Sequence, residues 1–263
     1  MKYYFRYLQT HFPGLQDLKF AVQRSYRQWR GRLSEPDLQL IDWLDLPEDL
    51  LYLDIGTNRG DTILDTKRVA PQAKVLGFEP NPGICRSARM VTQHLEEVSI
   101  MNVGLGEEAS DLVLYIPVYG KYPFDGLASL HRDQAANWLR SRLFHYQEEK
   151  LSIQEIQCTI QPLDSFLIKP HFIKMDVQGH ELAVLRGGQQ MLKRYQPAIL
   201  LESATEEIRT FLSAIGYHPY YRSDQQVVQG LGTLNTYFLA QKHVEVLLKQ
   251  GRLQRQTTEK EAV

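Results

Sequence analysis

Two cysteines in 263 residues, Cys85 and Cys158, are too few and too far apart for a disulfide framework. No Cys-x-x-Cys or Cys/His pair has zinc spacing, and no acidic cluster obliges a metal, so no metal site is expected. Free thiols suit a reducing compartment. No apolar run approaches the ~20 residues that cross a bilayer. The opening MKYYFRYLQTHFPG lacks the apolar stretch and small-residue cleavage site of a secretory signal. A formal net charge of -1 gives the whole molecule no field that would gather nucleic acid. Together these absences point to a soluble, cytoplasmic protein with no strong nucleic-acid signal and no transmembrane segment. What is present is ordinary for a globular chain: 43 % hydrophobic and 23 % charged residues. The length allows one large α/β domain with an added arm.

Residues 1–48 form that arm. Lys2, Arg6, Lys19, Arg24, Arg27, Arg30 and Arg32 face a single acid, Asp17, and are interleaved with Tyr3, Tyr4, Phe5, Tyr7, Phe12, Phe20, Tyr26 and Trp29. The pattern predicts helix. One reading packs the aromatics on the main domain and leaves the arginines in water. The other makes the arm a contact surface for an acidic substrate, a membrane face or a second subunit.

From residue 49 to 242 the pattern alternates. Short apolar runs at 50–55, 74–79 and 98–103 predict strands, with helices over 61–70 and 82–95 between them. Asp61 is the expected cap of the first helix, and Pro82 opens the second. Residues 112–118 predict a strand, 119–130 a loop, 132–150 a helix and 154–160 a strand. The rhythm then resumes with strands at 171–176, 197–201 and 234–240 and helices at 181–195 and 206–215. Residues 243–263 are expected to be a short helix and a frayed polar tail. A βαβαβ series implies a mostly parallel sheet with right-handed crossovers, helices on both faces, and ligands at the carboxyl edge.

The chemistry concentrates at that edge. Leu53-Asp54-Ile55-Gly56-Thr57-Asn58-Arg59-Gly60 lies where the first strand meets the first helix. Gly56 and Gly60 let a ligand approach the backbone. The spacing is GxxxG, and Asn58 stands where a dinucleotide fingerprint wants glycine for a pyrophosphate. A ligand without phosphate but with an ammonium and a carboxylate suits Asp54 and Asn58 better. Glu79 ends the second strand, where an acid can accept two hydrogen bonds from ribose hydroxyls.

These residues, with later blocks, resemble the FkbM family of methyltransferases. The blocks are LDIGTNRGD at 53–61, FEPNP at 78–82, NVGLGEE at 102–108, LASL at 127–130, PLDSF at 162–166, FIKMDVQGHELAVLRGG at 172–188 and PAILLE at 197–202. The resemblance covers roughly residues 50–240. It implies a Rossmann-like class I methyltransferase fold, S-adenosylmethionine as methyl donor, and O-methylation of a small-molecule or sugar acceptor. It extends the donor site to Thr57, Asp61, Pro80, Asn81 and Gly104. It also makes Ser129, at the family's recurring loop serine, a candidate acceptor contact. Gln178 departs from the family's usual glutamate, and His180 from a position that is often small.

Asp176 ends its strand at the ligand edge and is the first candidate for general base or substrate anchor. Its alternative is a capping carboxylate for the next helix. Lys174 shares a strand face with Asp176 and is a candidate substrate contact, or pairs with Glu202. Glu181 and His180 complete the catalytic candidates. The loop 119–131 is the candidate lid, with Tyr119, Tyr122 and Phe124 as apolar cover. Two other readings stay open: a non-catalytic binding scaffold with this fold, and an NAD-linked oxidoreductase.

Overall fold

The computed structural model describes residues 22–254, apart from 28, 130, 141 and 144. The arm's sequence features before Val22 lie outside the described residues. A helical turn over 22–27 and a 3-10 turn at Pro36–Gln39 lead into α1 (Leu40–Trp43). Then follow β1 (Leu51–Ile55), α2 (Asp61–Val69), β2 (Lys74–Phe78), α3 (Pro82–Thr92), β3 (Val98–Met101) and β4 (Gly104–Gly106). The middle of the chain holds β5 (Ser110–Tyr119), β6 (Tyr122–Pro123), α4 (Arg132–Asn137) and β7 (Leu151–Pro162). The last third holds β8 (Phe172–Met175), α5 (Glu181–Gly187), α6 (Gln189–Tyr195), β9 (Ala198–Glu202), α7 (Glu206–Ser213), β10 (Tyr217–Ser223) and β11 (Gln226–Gln229). It closes on β12 (Asn235–Ala240), α8 (Gln241–Lys249) and β13 (Leu253–Gln254).

Nine strands make the main sheet in the order β13-β11-β10-β12-β9-β8-β1-β2-β3. The five from β9 to β3 run parallel, while β12, β10 and β11 join antiparallel. The expectation of a mostly parallel sheet therefore holds for the half that carries the glycine turn, and the sheet as a whole is mixed. A second sheet, β4-β7-β5-β6, stands beside the first. It is dominated by the long antiparallel ladder of β5 and β7.

Side-chain alternation sorts the core into two layers. Tyr52, Val75, Phe172, Leu200 and Tyr237 point to the face covered by Leu38, Trp43, Ile63, Ala88 and Leu247 from the arm, α2, α3 and α8. Leu53, Ile55, Ile173, Met175, Leu201 and Phe238 point to the other, under Val184, Leu192 and Leu212 of α5, α6 and α7. On the first face, the next positions toward the carboxyl edge are Asp54, Lys174, Asp176 and Glu202. The period of two thus carries buried polar groups out of an apolar layer toward one rim.

Several expectations are corrected. The first helix is capped by the left-handed Gly60; Asp61 is its first residue and accepts from Arg24 Nε at 2.8 Å. Helix over 132–150 shrinks to α4, because Leu139 and Leu143 turn in to join Tyr119, Tyr122 and Phe124 in a small separate core. Those three aromatics therefore hold the insert together instead of covering the ligand edge. The helix over 181–195 is broken between α5 and α6. A Cβ on Gly187 would lie 1.9 Å from the Gly106 carbonyl oxygen, so α5 touches β4 backbone to backbone there. The tail from 252 is ordered at its start, where β13 pairs with β11. Tyr26 and Trp29 do not pack on the domain: they are 53 % and 78 % exposed, and Arg30 lies over both rings.

The arm is tied to the domain through Asp65 of α2. Its carboxylate accepts from Ser34 N and Oγ, and from Glu35 N at 3.0 Å. The side chain is buried, so removing it strands three donors. Asp65→Ala is expected to lower stability by about 1–3 kcal/mol, the usual cost of orphaned buried donors. Chemical denaturation reads this directly; an unchanged midpoint would show that the tether carries no energy.

Candidate functional site

The carboxyl ends of β1, β2 and β8 and the inner edge of the second sheet surround one cleft. Gly56, Asn58, Glu79, Pro80, Asn81, Gly104, Asp125, Gly126, Asp176, Gln178 and His180 line it, with Ile55, Phe78, Ile84, Leu105, Leu114, Ala128, Ile160 and Val177 as apolar wall. Its empty space, mouth included, is about 890 Å³. An apolar slot with a few placed polar groups is the usual form of a small-ligand site.

Glu79 is the best organised of those groups. Its Oε2 accepts from Asn58 N at 2.9 Å and its Oε1 from Asn81 N at 3.0 Å. Each oxygen is anchored by one backbone donor and keeps further acceptor capacity. Burial pushes the carboxyl above the usual range, and the two backbone hydrogen bonds oppose that. The sequence explains the anchoring. Asn58 sits at φ 49, which turns its N–H back toward β2. Asn81 caps α3, accepting from Gly83 N and Ile84 N, and so is fixed beside Glu79.

Gly56 is a steric requirement. It has φ +81, and a Cβ there would lie 1.9 Å from the Asp176 carbonyl oxygen. The turns after β1 and β8 therefore meet at backbone contact. Thr57 Oγ1 donates to the Asp54 carbonyl at 2.9 Å and closes the turn from below. Asp54 is fully buried; Oδ2 accepts from Thr62 Oγ1 at 2.6 Å, while Oδ1 has no hydrogen-bond partner among the described residues. Burial pushes its carboxyl up to about 6, with the nearby Lys174 charge acting against that. Asp54 does not line the cleft; it lies behind the glycine turn that does.

Asp176 accepts from Gln178 Nε2 at 2.8 Å through Oδ1, and Lys174 Nζ lies 3.7 Å from Oδ2. Lys174 is itself buried beneath this rim. His180 reaches the cleft, and burial lowers its basicity, with the Glu181 charge opposing that. Glu181 is engaged differently. Its Oε1 accepts from Val177 N at 3.3 Å and Gly179 N at 3.0 Å, so it braces the 177–179 turn and is not part of the cleft wall. Ser129 also stands off: its hydroxyl donates to Gln134 at 3.0 Å and accepts from His131 N. Gly60, Thr57 and Asp61 shape the first turn and do not line the cleft.

The sequence points to the right loop over the cleft but to the wrong part of it. Asp125, Gly126 and Ala128 line the cleft, and Asp125 bridges to Arg59 of the first turn at 2.9 Å. The opposite wall, Leu105, Leu114 and Ile160, comes from the second sheet. Its alternating apolar residues are visible in the sequence, but the position of the sheet is not.

The donor set fits a nucleoside-bearing ligand with a charged tail: an anchored acid, an apolar slot, a bare glycine turn and a buried unpaired carboxylate oxygen. Among relatives, "Methyltransferase 1" of Beauveria bassiana is 30 % identical over 156 residues, 56 % of this chain and 61 % of that protein. The "AMB antimetabolite synthetase AmbE" of Pseudomonas aeruginosa is 28 % identical over 170 residues, 56 % of this chain and 8 % of that protein. This chain thus spans only part of the length of either relative. A crystal structure of a methyltransferase FkbM from Methylobacillus flagellatus KT superposes with TM-score 0.48 at 16 % identity, covering 74 % of this chain and 44 % of that one. Residues 54–219, which hold Asp54, Glu79 and Asp176, match the methyltransferase FkbM domain, and the chain belongs to the FkbM methyltransferase family.

Proposed function

We propose that this protein transfers a methyl group from S-adenosylmethionine to a hydroxyl of a small molecule or sugar. The observation that carries the donor half is the Glu79 carboxylate at the cleft, anchored by two backbone donors with acceptor capacity to spare, which suits two ribose hydroxyls. In this reading Phe78, Leu105, Leu114 and Ile160 flank the base, Pro80, Asn81 and Gly104 form the floor, and Gly56 and Asn58 meet the amino-acid end with the Asp54 carboxylate buried behind them. Thr57, Gly60 and Asp61 support that turn without touching the ligand. The bound donor would supply an electrophilic methyl on a positively charged sulfur.

The chain's own contribution is positioning and proton handling. Much of the rate of an in-line displacement comes from holding the reactants in line. Asp176 is the proposed proton acceptor, since it lines the cleft beside the glycine turn. Lys174 and Gln178 orient it, and His180 is left as a polar contact for the acceptor. Glu181 is assigned a bracing role and Ser129 a loop-shaping one. The family membership supports methyl transfer, and the antimetabolite synthetase among the relatives supports a small-molecule acceptor. The GxxxG turn, with Asn58 where a pyrophosphate would lie, weighs against a nicotinamide cofactor.

Incubation with trideuteromethyl S-adenosylmethionine and a panel of hydroxylated small molecules and sugars tests this reading. The expected product carries the label on oxygen, and Asp176→Asn lowers its rate by about 100-fold or more, the usual contribution of a general base. Label on nitrogen or carbon would refute the oxygen assignment, and full activity in Asp176→Asn would refute the base.

A further inference from the structure

Glu202 has no part in the assignment above, yet it is tied to Asp176. The strands β8 and β9 pair in parallel with Met175 opposite Leu201. Asp176 and Glu202 each follow by one residue, so they stand side by side at the carboxyl rim, on one face of the sheet. Their side chains are in hydrogen-bond contact. Two carboxylates in contact cannot both ionise cheaply.

The surroundings define the charge of this rim. Lys174 of β8 lies below, 3.7 Å from Asp176. Glu35, from the segment before α1, approaches from the arm side, where its negative charge adds to that around Glu202. Asn235, the β12 partner of Glu202, is neutral and donates to Glu35 at 3.1 Å and to Asp37 at 2.8 Å. Arg222 faces Asp37 at 3.9 Å. On the other side Asp54, paired in register with Lys174, holds its buried Oδ1 without a partner among the described residues. Burial first, and then the charge of Asp176, push the Glu202 carboxyl up to about 7. Only Asp176 of the pair lines the cleft.

We propose that Asp176 and Glu202 hold one shared proton in the free protein and release it to solvent when a cation settles in the cleft. The Asp176 carboxylate is then unencumbered only when a positively charged donor is present. Glu202 is thus a positioning residue: it acts through Asp176 and contacts neither donor nor acceptor. This inference rests on the reading of the cleft as an S-adenosylmethionine site.

The sign follows from linkage. A positive charge near the pair favours its doubly ionised form, so binding lowers the pair's proton affinity and releases protons near pH 7. Isothermal titration of the whole chain in two buffers of different ionisation enthalpy measures that release. With S-adenosylmethionine at pH 7, release of on the order of half a proton is expected, because a group titrating there is half protonated. Release should fade at pH 8.5, where the free pair is already ionised, and persist below pH 7 down to the range in which the bound pair itself takes up a proton. S-adenosylhomocysteine, whose sulfur is neutral, should release much less, a comparison that needs no variant. Glu202→Gln should bind S-adenosylmethionine without the release. Equal release with both ligands, release undiminished in Glu202→Gln, or binding with no release would overturn the proposal while leaving the cofactor reading intact. Binding of neither ligand would overturn the cofactor reading, and the proposal with it.

Discussion

Glu79→Ala is expected to weaken S-adenosylmethionine binding by about 100-fold or more. A carboxylate accepting two ligand hydroxyls contributes roughly 1.5–3 kcal/mol for each charge-assisted bond, and 1.4 kcal/mol is tenfold in affinity. The substitution also removes the acceptor for Asn58 N and Asn81 N, so the turn after β1 and the cap of α3 lose their shared anchor. Glu79→Gln separates the two effects. Its single carbonyl oxygen can satisfy one of the two backbone donors, and its amide nitrogen must face the other. It should therefore fall between wild type and Glu79→Ala in affinity. Calorimetric titration of the three proteins checks the order, and wild-type affinity in Glu79→Ala would remove Glu79 from the site.

Gly56→Ala is expected to act on folding before it acts on binding. The new Cβ would lie 1.9 Å from the Asp176 carbonyl oxygen, and the residue would be held at φ +81. Neither β1 nor β8 can retreat, since both are central strands of the sheet. A loss of at least about 3 kcal/mol is the scale for combined overlap and left-handed strain. Gly126→Ala is the control: its added Cβ meets nothing within 4 Å. Thermal unfolding should show a large fall for the first and almost none for the second. Equal stability of the two would mean that the β1 and β8 turns do not meet as described. Lost binding in a Gly56 variant therefore reports the architecture, whereas lost binding in a Glu79 variant reports the contact.

Sequence makes the cleft edge of the parallel strands legible because its signals are local. A buried strand, a glycine turn and a strand-end acid each sit within a few residues, and the parallel topology places them together. The arm's attachment is not legible in this way, because it depends on Asp65 meeting Ser34 and Glu35 across about 30 residues. The β10–β11 hairpin is hidden for another reason. Residues 217–229 carry His218, Pro219, Arg222 and four glutamines or aspartates, a half-exposed pattern without the apolar alternation of an inner strand. The helix expected over 132–150 illustrates the opposite error. Its composition favours helix, yet His145 takes φ 50 and the apolar residues fold back on Tyr119 and Phe124.

The cleft's second wall and the carboxyl pair depend on register and sheet order. Leu114 and Ile160 become neighbours of Glu79 only after β5 and β7 pair and their sheet docks. Asp176 and Glu202, 26 positions apart, become partners only because β8 and β9 are adjacent and in step. Glu181 shows how position alone misleads. It stands next to the cleft residues Asp176 and Gln178 in sequence, but its carboxylate is turned into the 177–179 backbone. Among the described residues no helix is long and apolar enough to cross a membrane.

The cleft between β1, β2 and the second sheet is proposed to hold the donor with its ribose on Glu79. A crystal structure with S-adenosylhomocysteine bound measures this most directly. The expected complex has the ribose hydroxyls on the Glu79 carboxylate, the base between Phe78, Leu105, Leu114 and Ile160, and the amino-acid end toward Gly56 and Asn58. A nucleoside bound elsewhere, or bound in this cleft without touching Glu79, would contradict it.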